Sequence, residues 1–146
     1  MAQHRVARSV VVDAPAEKVF EVLASPRRHA EFDGSGTVRE AVHGPERLGL
    51  GDEFGMDMRM GLPYRMSNRV VEYQEGRLIA WRHFGVHRWR FETEPLSDGT
   101  CRVTETFDYS TGGPLLRFGY ILLGWPSRNG RSIEQTLVRL KELVEG

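Results

Sequence analysis

A chain of 146 residues, 40% of them hydrophobic, has the length of one domain able to bury a core. Its twenty basic and twenty acidic side chains cancel, which removes any global electrostatic pull toward nucleic acid or an anionic membrane. The single cysteine, Cys101, excludes a disulfide framework and a multi-cysteine metal centre, and it fits a reducing cytoplasm.

The N-terminus MAQHRVARSV lacks the apolar stretch of a signal peptide. Val6–Val12 alternates and is rich in β-branched residues, which predicts a strand. Asp13-Ala14-Pro15 stops it and opens a short helix, Pro15–Ala24, whose apolar stripe is Val19, Phe20 and Leu23. Ser25-Pro26 repeats the signal for a second short helix, running from Pro26 to about Phe32.

Strands then follow one another. They are predicted over Thr37–His43, Asp52–Met60, Arg65–Tyr73, Arg77–Phe84, His87–Glu94 and Cys101–Tyr109, with Leu62-Pro63 breaking the run after Met60. Asp98-Gly99 between two alternating runs is a strong hairpin signal. Alternation throughout implies an antiparallel sheet with one covered face and one wet face.

From Pro114 the period becomes helical. Pro114–Leu123 is apolar nearly all round, Arg117 being its one charge, and Gly124-Trp125-Pro126 is expected to kink or break it. The longest apolar run, Leu115–Trp125, is about half a membrane span, so no stable membrane insertion is expected. The last helix is predicted over Ser132–Val144. Ile133, Leu137, Leu140 and Val144 form its buried face, and Ser132 with Gln135 forms a capping box at its start.

Five stretches carry a family resemblance: VDAPAEKVFEVLASPRRHAEF at Val12–Phe32, GDEF at Gly51–Phe54, VVEYQEGRLIAWR at Val70–Arg82, TETFDY at Thr104–Tyr109 and LVRLKELVE at Leu137–Glu145. In this order they resemble the START-like, birch-pollen-allergen-like helix-grip superfamily, in its polyketide cyclase/dehydrase and lipid-transport (SRPBCC) branch. The resemblance implies an α+β helix-grip fold over residues 1–146 as a single domain. A seven-stranded curved antiparallel sheet would wrap a long C-terminal helix, with two short helices between strands one and two and an internal cavity. It implies no universal catalytic motif, because such folds share a pocket and differ in chemistry.

If the apolar face of each strand looks toward the last helix, Met56, Met58, Met60, Ile79, Trp81, His83, His87, Trp89, Phe91, Val103, Glu105, Phe107 and Tyr109 point inward. Arg88, Arg90, Glu92, Arg102, Thr104 and Thr106 then point to solvent. A wall of methionines and aromatics with a few polar atoms suits a small hydrophobic molecule. Met56, Met58, Met60, Trp81, Trp89, Phe91, Phe107, Leu122 and Leu137 are the candidate ligand contacts, and plain core packing is the competing reading for each.

Glu105 is a carboxylate between Val103 and Phe107 on a face that should be apolar. With His83, His87 and Tyr109 it forms the candidate catalytic set, a Glu–His pair being suited to abstracting a proton alpha to a carbonyl. His87 as a solvated edge residue and Glu105 paired to a cation at the pocket mouth are the plainer alternatives.

The remaining signals are weaker. The histidines at 4, 29, 43, 83 and 87 lack metal-ligand spacing, and the glycines at 34, 36, 49 and 51 lie in strand connections rather than a phosphate loop, so neither metal nor cofactor is expected. Cys101 reads as a buried structural thiol, and Arg27, Arg28, Arg82, Arg88 and Arg90 as a solvated surface. Leu115–Trp125 is expected to pack at the cavity's end, with a pocket lid, a dimer contact and a transient membrane contact as the alternatives, and Gly124–Pro126 is the hinge by which it would move when a ligand enters.

The leading expectation is binding or transport of a lipid, polyketide or aromatic molecule by a cytoplasmic monomer or homodimer. A cyclase/aromatase or dehydratase is the first alternative. The second, implied by the resemblance, is a protein-interaction module of chaperone-cofactor type.

Overall fold

The computed structural model describes residues 5–33, 38–60, 62–82, 87–110, 115, 118 and 125–146, with backbone alone at 38–43, 56–60, 62–66 and 125–128. The strands are β1 (Arg5–Val12), β2 (Val38–His43), β3 (Glu53–Met60), β4 (Leu62–Gln74), β5 (Leu78–Arg82), β6 (Arg88–Pro95) and β7 (Cys101–Asp108). Between β1 and β2 lie α1 (Ala16–Leu23), a 3₁₀ turn (Pro26–Arg28) and α2 (His29–Phe32), and the last helix is α3 (Trp125–Glu145). All seven strands form one antiparallel sheet in the order β1-β7-β6-β5-β4-β3-β2. This is the α+β helix-grip arrangement: a meander from β2 to β7, with β1 added beside β7.

The α3 stripe is buried as its spacing requires. Ile133, Leu137, Leu140 and Val144 are all at most 3% exposed, and they join one apolar cluster with Val12, Val103, Phe107 and the α1 residues Val19, Phe20 and Leu23. The helix begins at Trp125, not at Ser132. Pro126 therefore stands in the first turn, where its missing N–H would have no partner in any case, and Ser132 is an interior residue rather than a cap. Of the expected hinge, Gly124 lies outside the described residues. Further along, α3 crosses β1 closely: a Cβ on Gly130 would stand 3.2 Å from Val6 Cγ1 and 3.3 Å from Arg8 Nη2, tighter than an ordinary van der Waals contact.

Leu62-Pro63 does not break the sheet; both residues belong to β4, with Pro63 opposite Arg59. Among the described residues β5 pairs with Arg69–Gln74 alone and no second neighbour is bonded to the Pro63 end of β4, where proline is tolerated. The connection from β2 to β3 turns at Gly44 with φ +133°, and a Cβ there would meet Phe54 Cβ at 2.8 Å. Arg47 straps this connection down. Its guanidinium bonds Glu21 on α1 at 2.8 Å, Glu75 at 2.5 Å and the Tyr73 hydroxyl oxygen at 2.8 Å, and it lies 5.7 Å over the Phe20 ring.

The outer face is less solvated than its polar sequence implies. Thr106 is buried, and Arg88 and Arg90 are half-buried because both reach Glu72, at 3.1 and 3.4 Å. A bulge at Val71 makes this possible, turning Glu72 outward opposite Ala80. Leu115 and Phe118, the two described residues of the apolar stretch before α3, are 85% and 61% exposed rather than packed.

Candidate functional site on the concave face

Strand alternation and register arrange the inward side chains in rows. One row runs Ile79, Phe91, Glu105, Arg8 across β5, β6, β7 and β1, and the next runs Val70, Trp81, Trp89, Phe107, Val6 from β4 to β1. Trp81 meets Phe91 at 5.5 Å and Phe54 at 5.6 Å; Phe107 meets Trp89 at 5.0 Å, His87 at 5.1 Å and Tyr109 at 5.6 Å. Trp81, Phe91, Phe107, Tyr109, His87 and Leu137 are buried, and Trp89 is half-buried. The side chains of Met56, Met58 and Met60, and all of His83 and Leu122, lie outside the described residues.

Glu105 occupies the seam between the two aromatic groups. Phe91 is directly opposite on β6, Phe107 is two residues on, and Arg8 on β1 turns away to bond Glu134 at 3.0 Å. Glu105 Oε1 is buried and has no hydrogen-bond partner among the described residues. Burial first, and the negative charge of Asp33 second, raise its pKa well above the ordinary value, so the protonated acid is favoured. Asp33 is brought there by α2: it follows Phe32, whose ring meets Phe91 edge-on at 6.2 Å. Arg139 of α3 donates to the Asp33 carbonyl at 2.7 Å and ties the end of α2 to the last helix.

A second buried titratable side chain on this face is His29, which senses the same Asp33 charge as Glu105. Ser25-Pro26 starts the 3₁₀ turn, and α2 then places His29 and Phe32, three residues apart, on its sheet-facing side. His29 Nε2 donates to the Leu23 carbonyl at 2.9 Å. Nδ1 is therefore an acceptor, buried and without a partner among the described residues. The ring stacks on Trp81 at 4.7 Å and 19° and meets Phe54 and Phe32 edge-on at 5.4 Å. Burial lowers its pKa to about 4, against smaller upward pulls from the Leu23 bond and the Asp33 charge, so the ring is neutral.

His87 is buried against Phe107 rather than solvated, but it precedes Arg88, whose partner Asp108 lies three residues, about 10 Å, along β7 from Glu105. The expected His87–Glu105 pair is not formed. Sequence spacing missed His29 because its partners Phe54 and Trp81 come from strands far along the chain; its offset of three from Phe32, after Pro26, was the available signal. Cys101 is buried, and burial raises its thiol pKa, with the Glu17 charge adding to the shift.

A curved sheet gripping one long helix, with an aromatic concave face and a buried acid, defines a helix-grip protein. The chain belongs to the family described as polyketide cyclase/dehydrase and lipid transport, whose model matches residues 3–145. It is 46% identical over 142 residues to the uncharacterized protein Rv0088 of Mycobacterium tuberculosis, covering 94% of this chain and 63% of that relative. The chain thus spans less than two thirds of the length of the curated relative it matches. Among solved structures, protein NE0264 from Nitrosomonas europaea superposes with a TM-score of 0.68 at 19% identity, covering 98% of this chain and 97% of the other. The Zhui aromatase/cyclase from Streptomyces sp. R1128 superposes with a TM-score of 0.65 at 17% identity, covering 96% and 94%. These structural likenesses establish the fold. Among the described residues no helix is long and apolar enough to cross a membrane.

Proposed function

We propose that residues 1–146 act as one helix-grip domain whose concave face holds a hydrophobic small molecule: a lipid, a polyketide or an aromatic compound. The observation that carries this reading is the continuous aromatic lining from Trp81 through Phe91 and Trp89 to Phe107 and Tyr109, interrupted by a single buried carboxyl with an unpaired oxygen. Apolar walls with one or two placed polar groups are what small-molecule sites are built from. The family description, which names lipid transport, supports the same reading. Native mass spectrometry of the purified protein, followed by displacement of a bound fluorescent hydrophobe, tests it. A bound or displaceable ligand is expected, and the absence of both rejects it.

A second reading, conversion of the ligand, is favoured by one specific feature. Glu105 is buried opposite Phe91 with an oxygen that has no partner among the described residues, and burial biases it toward its acid form. A protonated carboxyl in an aromatic site is suited to donating a proton to a carbonyl-bearing substrate. The family description names polyketide cyclase and dehydrase activity, and the Zhui aromatase/cyclase shares the fold. Glu105→Gln must then abolish turnover of an aromatic poly-ketone while ligand affinity is retained. Unchanged turnover leaves binding as the whole function.

A further inference from the structure

The outer face of the sheet carries ordered rows of charge that the concave-face reading does not use. Glu53 lies opposite Arg69, Arg69 opposite Arg82, Arg88 opposite Asp108, and Asp108 opposite Arg5. The β5–β6 ladder pairs Trp81 with Trp89, and Arg82 and Arg88 are the next residues on the two strands. The outer face therefore carries Glu53, Arg69 and Arg82 across β3 to β5, and Arg88, Asp108 and Arg5 across β6 to β1.

Like charges directly opposite one another on neighbouring strands destabilise a sheet. Most of these charges are compensated: Arg69 bonds Glu53 at 2.9 Å, Arg88 bonds Glu72 at 3.1 Å and Arg5 bonds Asp108 at 3.1 Å. Arg82 is exposed and makes no hydrogen bond or ion pair among the described residues. It lines a cleft of about 410 Å³ with Glu53, Ser67, Asn68, Arg69 and Val71.

We propose that this outer cleft binds a phosphoryl group between Arg69 and Arg82, beside the Ser67 hydroxyl. Neighbouring strands are about 4.8 Å apart, a gap that a group with three charged oxygens bridges. Glu53 already takes one Arg69 N–H, from Nη2 to Oε1 at 2.9 Å, and leaves the other guanidinium donors open. Glu53 holds Arg69 in place and leaves Arg82 as the uncompensated charge. The site stands on the opposite face from the ligand-binding reading and does not depend on it. The phosphoryl group has two sources, a soluble phosphate ester or a phospholipid headgroup.

The test is calorimetric titration with pyrophosphate, alongside sedimentation with vesicles of phosphatidylglycerol and of phosphatidylcholine. The wild type is compared with Arg82→Gln, Arg69→Gln and the outer-face control Arg102→Gln. Saturable binding is expected, weakened about tenfold or more by Arg82→Gln and Arg69→Gln and unchanged by Arg102→Gln. Pyrophosphate binding assigns the soluble source; binding to phosphatidylglycerol vesicles alone assigns the headgroup. Binding to neither overturns the proposal, as does equal weakening by Arg102→Gln or indifference to Arg82→Gln. Arg82 is exposed, so its replacement leaves the core intact, and Arg82→Lys is expected to retain part of the affinity.

Discussion

Phe91 stands directly opposite Glu105 across the β6–β7 ladder, and the Phe32 ring closes over Phe91 edge-on at 6.2 Å. The concave face thus keeps an ionisable carboxyl under aromatic cover, within electrostatic reach of Asp33. The consequences of that placement are measurable.

Raising the folded-state pKa of Glu105 means that the native state holds a proton which the unfolded chain releases above its ordinary value of 4.5. Stability from this group is full below that value and is lost as pH rises toward the folded pKa, at about 1.4 kcal/mol per pH unit. Glu105→Gln cannot ionise. Chemical denaturation as a function of pH is expected to show the variant gaining on the wild type with every step above 4.5. A constant difference between the two would show that the carboxyl is not held in its acid form.

His29 acts in the opposite direction. Its pKa falls from 6.5 to about 4 on folding, so its contribution is full above 6.5 and lost as pH falls to about 4. That shift corresponds to roughly 3 kcal/mol. Above 4.5 the two groups act in opposite directions on stability, His29 adding to it and Glu105 taking from it as pH rises. His29→Phe removes the titration and the bond to Leu23, so the variant should lose stability steadily as pH rises, exposing the Glu105 slope. A pH profile identical to that of the wild type would contradict the assignment of His29 as a buried neutral ring.

Gly44 has φ +133° and faces Phe54 so closely that an added methyl group would sit 2.8 Å from its Cβ. Gly44→Ala is expected to lower stability by about 2 kcal/mol, combining backbone strain with overpacking. A melting temperature equal to wild type would show that the β2–β3 connection can relax.

Arg47→Ala removes the strap from this connection to Glu21, Tyr73 and Glu75. The bonds are exposed, so the expected loss is about 1 kcal/mol and should shrink as salt is added. A loss that salt does not change would assign the role to the Arg47 stack on Phe20 instead.

The fold was legible where periodicity is local. Strand alternation marked the sheet, and the spacing of Ile133, Leu137, Leu140 and Val144 marked the buried face of α3. Its start was misplaced because Ser132 and Gln135 imitate a capping box inside a helix that Pro126 opens. Glu105 was legible as a charge interrupting an apolar alternation. His29 and Asp33 were not, because their link to Trp81 and Glu105 is made through space by α2 resting on the sheet. The outer-face charge pairing was hidden for the same reason: adjacency across strands depends on register, which the sequence does not print.

The central claim is that the concave face binds a hydrophobic small molecule, and Trp81 and Trp89 lie on that face to report it. The most direct measurement is titration of tryptophan fluorescence with palmitate, naphthol and anilinonaphthalene sulfonate, in wild type and in Trp89→Ala. Saturable one-to-one binding of at least one compound is predicted, weakened about tenfold by loss of the half-buried indole. No saturable change with any compound, or an affinity untouched by Trp89→Ala, would contradict it.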